Sequence, residues 1–204
     1  MIRSLLLVCI FCLLVGCNSF TPYTTVEKLT EPPSRTLITY IKSQEIADPA
    51  GKNIHDYMNR LAVKVQTTDG ITMVPFEQGF YVSFLSTLWF DDQSHSLRQS
   101  ATCDAVLNVL KTQHANYLVE VHTHDAGTRY YNQGLTERRL ESLKSYLQKM
   151  GYPLDRMTFK AYGEDQPVAD NSTTWGKQFN QRIEIAVVAD ERLKTLAAKG
   201  PVFE

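Results

Sequence analysis

The stretch VHTHDAGTRYYNQGLTERRLESLKSYL, residues 121–147, decides the fold. It reads as the end of a strand, a polar loop and the first turns of a long helix. The spacing predicts a helix over Gln133–Met150, ended by Gly151 with Pro153 just beyond. Leu140, Leu143, Leu147 and Met150 recur at helical intervals and share one apolar stripe. Each residue turns a helix by about 100°, which puts Arg138 nearly opposite that stripe and Arg139 at its edge. Asn132 lies on the side of Arg139, two turns back. The two arginines therefore differ: Arg138 faces solvent, and Arg139 is held near the loop after His124. A fixed guanidinium there offers a planar fork of donors suited to a carboxylate. The competing reading of Arg139 is a structural ion pair from helix to loop, with Asp125 or Glu137.

On either side the pattern stays regular. GFYVSFLST (79–87) is a strand by its aromatic and β-branched content. LRQSATCDAVLNVLKTQ (97–113) is helical, with Leu97, Ala101, Ala105, Leu107 and Leu110 near one side. NYLVEVHTH (116–124) and RMTFKAYG (156–163) are strands, and Glu164–Ser172 is a loop. TTWGKQFNQ (173–181) is a short helical stretch, and RIEIAVVAD (182–190) is the last strand. The order after Gly79 is β-α-β-α-β-α-β, an α/β pattern with helices packed on a sheet.

Upstream, Thr36–Ile46 reads as a short helix broken by Asp48-Pro-Ala-Gly51, and a second helix starts near Asn53. LAVKVQTTDGITMVPFE then alternates around Asp69-Gly70, the signature of a hairpin. The chain thus divides into a leader (1–16), a tether (17–35), an N-terminal extension (36–78), a main domain (79–190) and a tail (191–204).

The leader has one basic residue, Arg3, then an apolar run from Leu5 to Gly16, the pattern of a signal peptide. That run is short of the roughly 20 residues a membrane-spanning helix needs. Residues 14–17, LVGC, resemble the bacterial lipobox. The resemblance implies cleavage before Cys17, acylation of Cys17, and with Asn18 next, retention at the outer membrane. Asn18–Arg35 is polar, carries Pro22, Pro32 and Pro33, and fully extended reaches at most about 60 Å. Cys9 and Cys12 leave with the leader, so Cys103 remains as a small buried thiol with no disulfide partner. Formal charge is −1, so no global field draws nucleic acid. No Ser or Cys stands with an identifiable base, and no Gly-rich phosphate loop appears, so the chain does not read as an enzyme. His122, His124 and Asp125 invite a metal, yet no further ligand pair sits at zinc-like spacing; neither metal nor cofactor is expected.

Residues 121–140 resemble the peptidoglycan-binding domain at the C-terminus of OmpA-like proteins, through His122, Thr123, Gly127, Asn132, Leu135, Thr136 and Arg139. AYGEDQP (161–167) and GKQFNQRIEI (176–185) match two further segments of that family, and Phe90 and Leu97 match its residues after the first strand. The resemblance covers about residues 79–190. It implies a mixed sheet with helices packed on one face, and non-covalent binding of the diaminopimelate of the wall's stem peptide. An outer-membrane lipoprotein of this kind links that membrane to the cell wall. In the family an Asp takes the ammonium of diaminopimelate and an Arg takes its carboxylate. The Arg maps onto Arg139; the Asp maps onto His124, with Asp125 one place later. A neutral imidazole accepts one hydrogen bond but supplies no charge. Thr123, Asn132, Leu135 and Arg182 complete the expected binding set. Val121, Leu140 and Gln181 also depart from the family's Gly, Ala and Arg. The chain further resembles accessory lipoproteins of type IVB (Dot/Icm) secretion complexes, of the IcmN/DotK kind. That resemblance implies work through protein contacts, for which Tyr23, Tyr130, Tyr131 and Trp175 are candidates.

Overall fold

A computed structural model of the chain describes residues 49–65, 70–76, 79–111 and 114–202. The leader, Cys17, the tether and the helix expected over Thr36–Ile46 lie outside the described residues. No described helix is long and apolar enough to cross a membrane.

The sheet has five strands in the order β1-β2-β5-β3-β4. These are β1 (Ile71–Phe76), β2 (Gly79–Leu85), β3 (Ala115–His122), β4 (Met157–Gly163) and β5 (Arg182–Ala189). Four pairings fix the order: β1/β2, β2/β5 and β3/β5 are antiparallel, and β3/β4 is parallel. The parallel pair needs a crossover, and the long helix α3 (Arg129–Lys149) supplies it. The expected alternation of strands and helices after Gly79 is therefore present: β2, α2 (Ala101–Leu110), β3, α3, β4, α4 (Thr174–Asn180), β5. The helix α1 (Pro49–Val65) and strand β1 precede it, and the helix α5 (Glu191–Ala197) follows it.

The helix starts are chemically marked. Ser100, Thr128, Thr173 and Asp190 each accept a hydrogen bond from the backbone N–H three residues on. Each such cap contributes about 1 kcal/mol. Thr128 places the start of α3 four residues earlier than the apolar stripe alone, which pointed to Gln133. Ser100 likewise starts α2 after Leu97, which pairs instead in an isolated bridge with Phe90. The buried stripe of α2 is Cys103, Val106, Leu107 and Leu110, whereas Ala101 and Ala105 are exposed.

The expected hairpin around Asp69-Gly70 is not formed. Leu61–Val65 is the end of α1, and β1 is the first strand of the chain's hairpin with β2. The reason is competition between periods. Ile54, Tyr57, Met58, Leu61 and Ala62 bury one helical face against the core, and Val63 of the supposed strand is 65% exposed. The helix expected to start near Asn53 begins at Pro49, since proline at the first helical position gives up no hydrogen bond, and the break expected after Ile46 lies outside the described residues. The tail joins the same core: Asn53 Nδ2 donates to Ala197 O at 2.8 Å, and Arg60 donates to Val202 O.

The core centres on Phe80, Val82, Phe84, Val119, Val121, Ile183, Ile185 and Val187 from the strands, with Leu140, Leu143 and Leu147 from α3. Trp89 stacks edge-on against Phe84 and Tyr146. Cys103 is a buried free thiol, and burial pushes its pKa up.

Candidate functional site

β3 ends at His122, with a register shift against β4 between Val121 and His122. Val119 to Thr123 are all buried in succession. Thr123 N then donates to Gly163 O at 2.8 Å, which seals the strand end. His124 and Asp125 lie beyond it, in the loop before α3.

This loop sets the two residues apart. His124 Nδ1 accepts from Ala126 N at 3.0 Å. A backbone N–H can only donate, so Nδ1 carries the lone pair and Nε2 carries the ring proton. Asp125 turns toward α4, with Oδ1 3.8 Å from Lys177 Nζ. Gly127 packs so close to α3 that an added Cβ would lie 2.6 Å from Asn132 Oδ1.

On α3, Asn132, Leu135, Thr136 and Arg139 share one buried face with the leucine stripe. Asn132 Nδ2 donates to the carboxylate of Glu164. Thr136 Oγ1 accepts from Gly163 N at 3.0 Å. Arg139 is only 1% exposed. Its Nε donates to Ser94 O at 2.8 Å, Nη1 to Ser86 Oγ at 3.1 Å and Nη2 to Asp91 O at 3.2 Å. The ring of Phe90 lies 5.1 Å below the guanidinium carbon. Burial lowers the Arg139 pKa and the nearby charge of Asp92 opposes that, but an arginine stays protonated. The ion pair from Arg139 to Asp125 or Glu137 is not made: Asp125 faces Lys177, and Glu137 accepts from Gln133 at 2.9 Å. Arg138 is exposed, as its place on the wheel requires.

Sequence spacing did not foresee the partner of Arg139. It is the 91–94 loop, closed by the Phe90–Leu97 bridge and by Arg98 N donating to Trp89 O at 2.7 Å. The signal for this loop was the acidic pair Asp91-Asp92 next to Phe90. Asp91 pairs with Arg98 at 2.7 Å. Asp92 Oδ1 accepts from Gln93 N at 3.0 Å and from Gln181 Nε2 at 3.3 Å. Tyr131 Oη donates to Gln93 Oε1 at 2.7 Å, which ties the loop to the start of α3.

Arg182 sits apart from this rim. It is buried in β5, where Nε donates to Glu184 Oε1 at 3.0 Å and Nη1 to Gln166 O at 3.1 Å. Glu184 stands directly across from Glu120 of β3, and His122 Nε2 is 3.5 Å from Glu184 Oε2. Two facing carboxylates disfavour each other's charge, and the Arg182 guanidinium in contact with Glu184 offsets this. Glu120, His122 and Glu184 hold ligand-type atoms within 4.8 Å of one another, so these three are where a metal ion would have donors. His124 and Asp125 are not among them.

A cavity of about 410 Å³, lined among others by Tyr130, Gln133, Tyr162 and Glu164, borders the Asn132–Glu164 contact. Among the aromatics expected at contacts, Tyr130 is 91% exposed and Trp175 is 45% exposed, and Tyr131 is exposed too; Tyr23 lies outside the described residues.

Comparison with known proteins agrees with this architecture. A profile described as the OmpA family matches residues 89–181. The sodium-type flagellar protein MotY of Vibrio parahaemolyticus is 40% identical over 70 residues, which span 34% of this chain and 24% of that protein. The peptidoglycan-associated lipoprotein of Rhizobium meliloti is 35% identical over 107 residues, 50% of this chain and 60% of that one. The chain therefore spans about a quarter of the former's length and under two thirds of the latter's. A crystal structure of a MotB-like protein from Desulfovibrio vulgaris superposes with a TM-score of 0.57 at 19% identity, covering 69% of this chain and 92% of that one. At that identity the likeness concerns the fold alone. The profile match marks an OmpA-like domain over residues 89–181, and the solved structure shares the fold.

Proposed function

We propose that this chain is an outer-membrane lipoprotein whose OmpA-like domain holds peptidoglycan without a covalent bond, through the diaminopimelate of the stem peptide. It works by binding and not by catalysis, and so fastens the outer membrane to the wall. The observation that carries this reading is the fixed rim around the α3 N-terminus. Loops 91–94 and 124–127 are both tied to the buried face that holds Asn132 and Arg139. Such a rim is preorganised, so little ordering cost opposes a ligand. The likeness to a peptidoglycan-associated lipoprotein supports the choice of ligand, and the lipobox-like residues 14–17 support the anchor.

The test is co-sedimentation of the lipid-free protein with diaminopimelate-type sacculi at low salt, beside Arg139→Ala. Native protein is expected in the pellet and Arg139→Ala in the supernatant. Native protein left in the supernatant sinks the proposal. For the anchor, Cys17→Ser is expected to release the protein from outer-membrane fractions.

A second reading, an accessory part of an envelope secretion complex, is favoured by the exposed Tyr130 and Trp175. Crosslinking in cells through those positions is expected to trap an envelope protein under that reading, and recovery of peptidoglycan alone counts against it.

A further inference from the structure

We infer that Asp92 is the carboxylate that receives an ammonium group of the ligand at this rim, with Arg139 as the positioning residue that holds its loop. The inference rests on the proposed stem-peptide binding.

The acids around the rim are not equivalent. Asp91 is paired with Arg98 at 2.7 Å, and Asp165 with Arg129 at 2.8 Å. Asp125 faces Lys177, and Glu164 takes the amide of Asn132. Asp92 is exposed, and its hydrogen-bond donors are a backbone N–H and the Gln181 amide, neither of them charged. Both use Oδ1, so Oδ2 carries no hydrogen bond among the described residues. No cation stands within ion-pair distance of Asp92 among the described residues, although Arg139 lies close enough to feel its charge. An exposed carboxylate fixed through one oxygen, with the other open, is a ready acceptor for an ammonium.

His124 cannot take that role. Its Nδ1 lone pair is committed to Ala126 N–H, which leaves Nε2–H, a donor. A donor has nothing to offer an ammonium, and a protonated ring repels one. Arg139 is itself sealed at 1% exposure, but it grips the carbonyls of Asp91 and Ser94, on either side of Asp92. Asp92 is therefore presented by a buried clamp, with the uncharged Gln181 steadying it from the end of α4.

The experiment is calorimetric titration of the protein, purified in mild detergent, with a soluble diaminopimelate-bearing muropeptide. A second sample has its side-chain amine acetylated. Native protein is expected to bind the free amine at least about tenfold more tightly than the acetylated form. Asp92→Asn, with an unchanged melting temperature, is expected to lose that preference, while Asp125→Asn keeps it. Gln181→Arg, which sets a cation on Asp92, is expected to weaken the free-amine complex in the same way. An Asp92→Asn protein that still prefers the free amine overturns the inference, as does loss of the preference in Asp125→Asn. Native protein that binds tightly but ignores acetylation overturns it while leaving stem-peptide binding standing. If native protein binds neither muropeptide, both proposals fall.

Discussion

Arg139 Nε and the carbonyl oxygen of Ser94 stand 2.8 Å apart, and this contact ties the middle of α3 to the loop before α2. With the bonds to Ser86 Oγ and Asp91 O, it makes one buried side chain the fastener between two separate parts of the chain. Removing it leaves buried acceptors without a donor, which costs about 3 kcal/mol. Arg139→Ala is expected to lower the melting temperature by roughly 6–12 °C at this chain size. Arg139→Lys, with a single ammonium in place of a fork, is expected to recover only part of that. Thermal melts followed by circular dichroism decide it; an unchanged midpoint for Arg139→Ala removes the clamp.

Asn180 organises the loop between β4 and α4. Its Oδ1 accepts from Val168 N at 2.6 Å and Ala169 N at 3.0 Å, and its Nδ2 donates to Ala169 O at 2.7 Å and Asn171 Oδ1 at 2.8 Å. The side chain is fully buried. Asn180→Ala is expected to cost about 2–4 kcal/mol, since buried backbone groups lose their partners. Urea unfolding at fixed slope measures this, and a change below about 0.5 kcal/mol contradicts it.

Arg182 and Glu184 form a buried pair in β5, with Glu184 directly opposite Glu120 of β3. Arg182→Ala alone takes the guanidinium away from the buried Glu184 carboxylate and is expected to cost about 3–5 kcal/mol. Glu184→Gln in the same chain removes one of those charges, so the double variant is expected to be more stable than the sum of the single losses implies. Strict additivity in that cycle shows that the pair is not coupled.

Tyr146 donates its phenol to Asp104, and burial with that carboxylate pushes its pKa up to about 12. Its folded value lies above the ordinary value near 10, so the neutral phenol is favoured by folding. The stability it contributes is complete below about pH 10 and is lost as pH rises toward about 12. Tyrosinate absorbance is expected to show a step near pH 12 that is absent in Tyr146→Phe. Tyr152, more deeply buried beside Tyr117, is also raised, so the variant is needed to assign the step. A titration curve that Tyr146→Phe leaves unaltered contradicts the assignment.

The alternation of strands and helices from Gly79 onward was legible in the sequence because each element buries one face, and period alone reports that. The leucine stripe of α3 and the opposed places of Arg138 and Arg139 follow from 100° per residue and nothing else. At Leu61–Val65 period alone does not decide between strand and helix. A short apolar run satisfies both periods, and only packing of Tyr57, Met58 and Leu61 on the core chose the helix.

The site divides the same way. The sequence by itself determined which residues the OmpA-like pattern places around the α3 N-terminus, because those lie on one contiguous strand, loop and helix. Only the tertiary structure decided what they do. Arg139 meets residues 45 and 48 places away, Asp92 meets Gln181 across 89, and the ring proton of His124 is set by a loop amide. Hydrogen bonds between distant segments have no period in the chain. They exist because burial leaves each donor one reachable acceptor, and that acceptor is fixed by the fold.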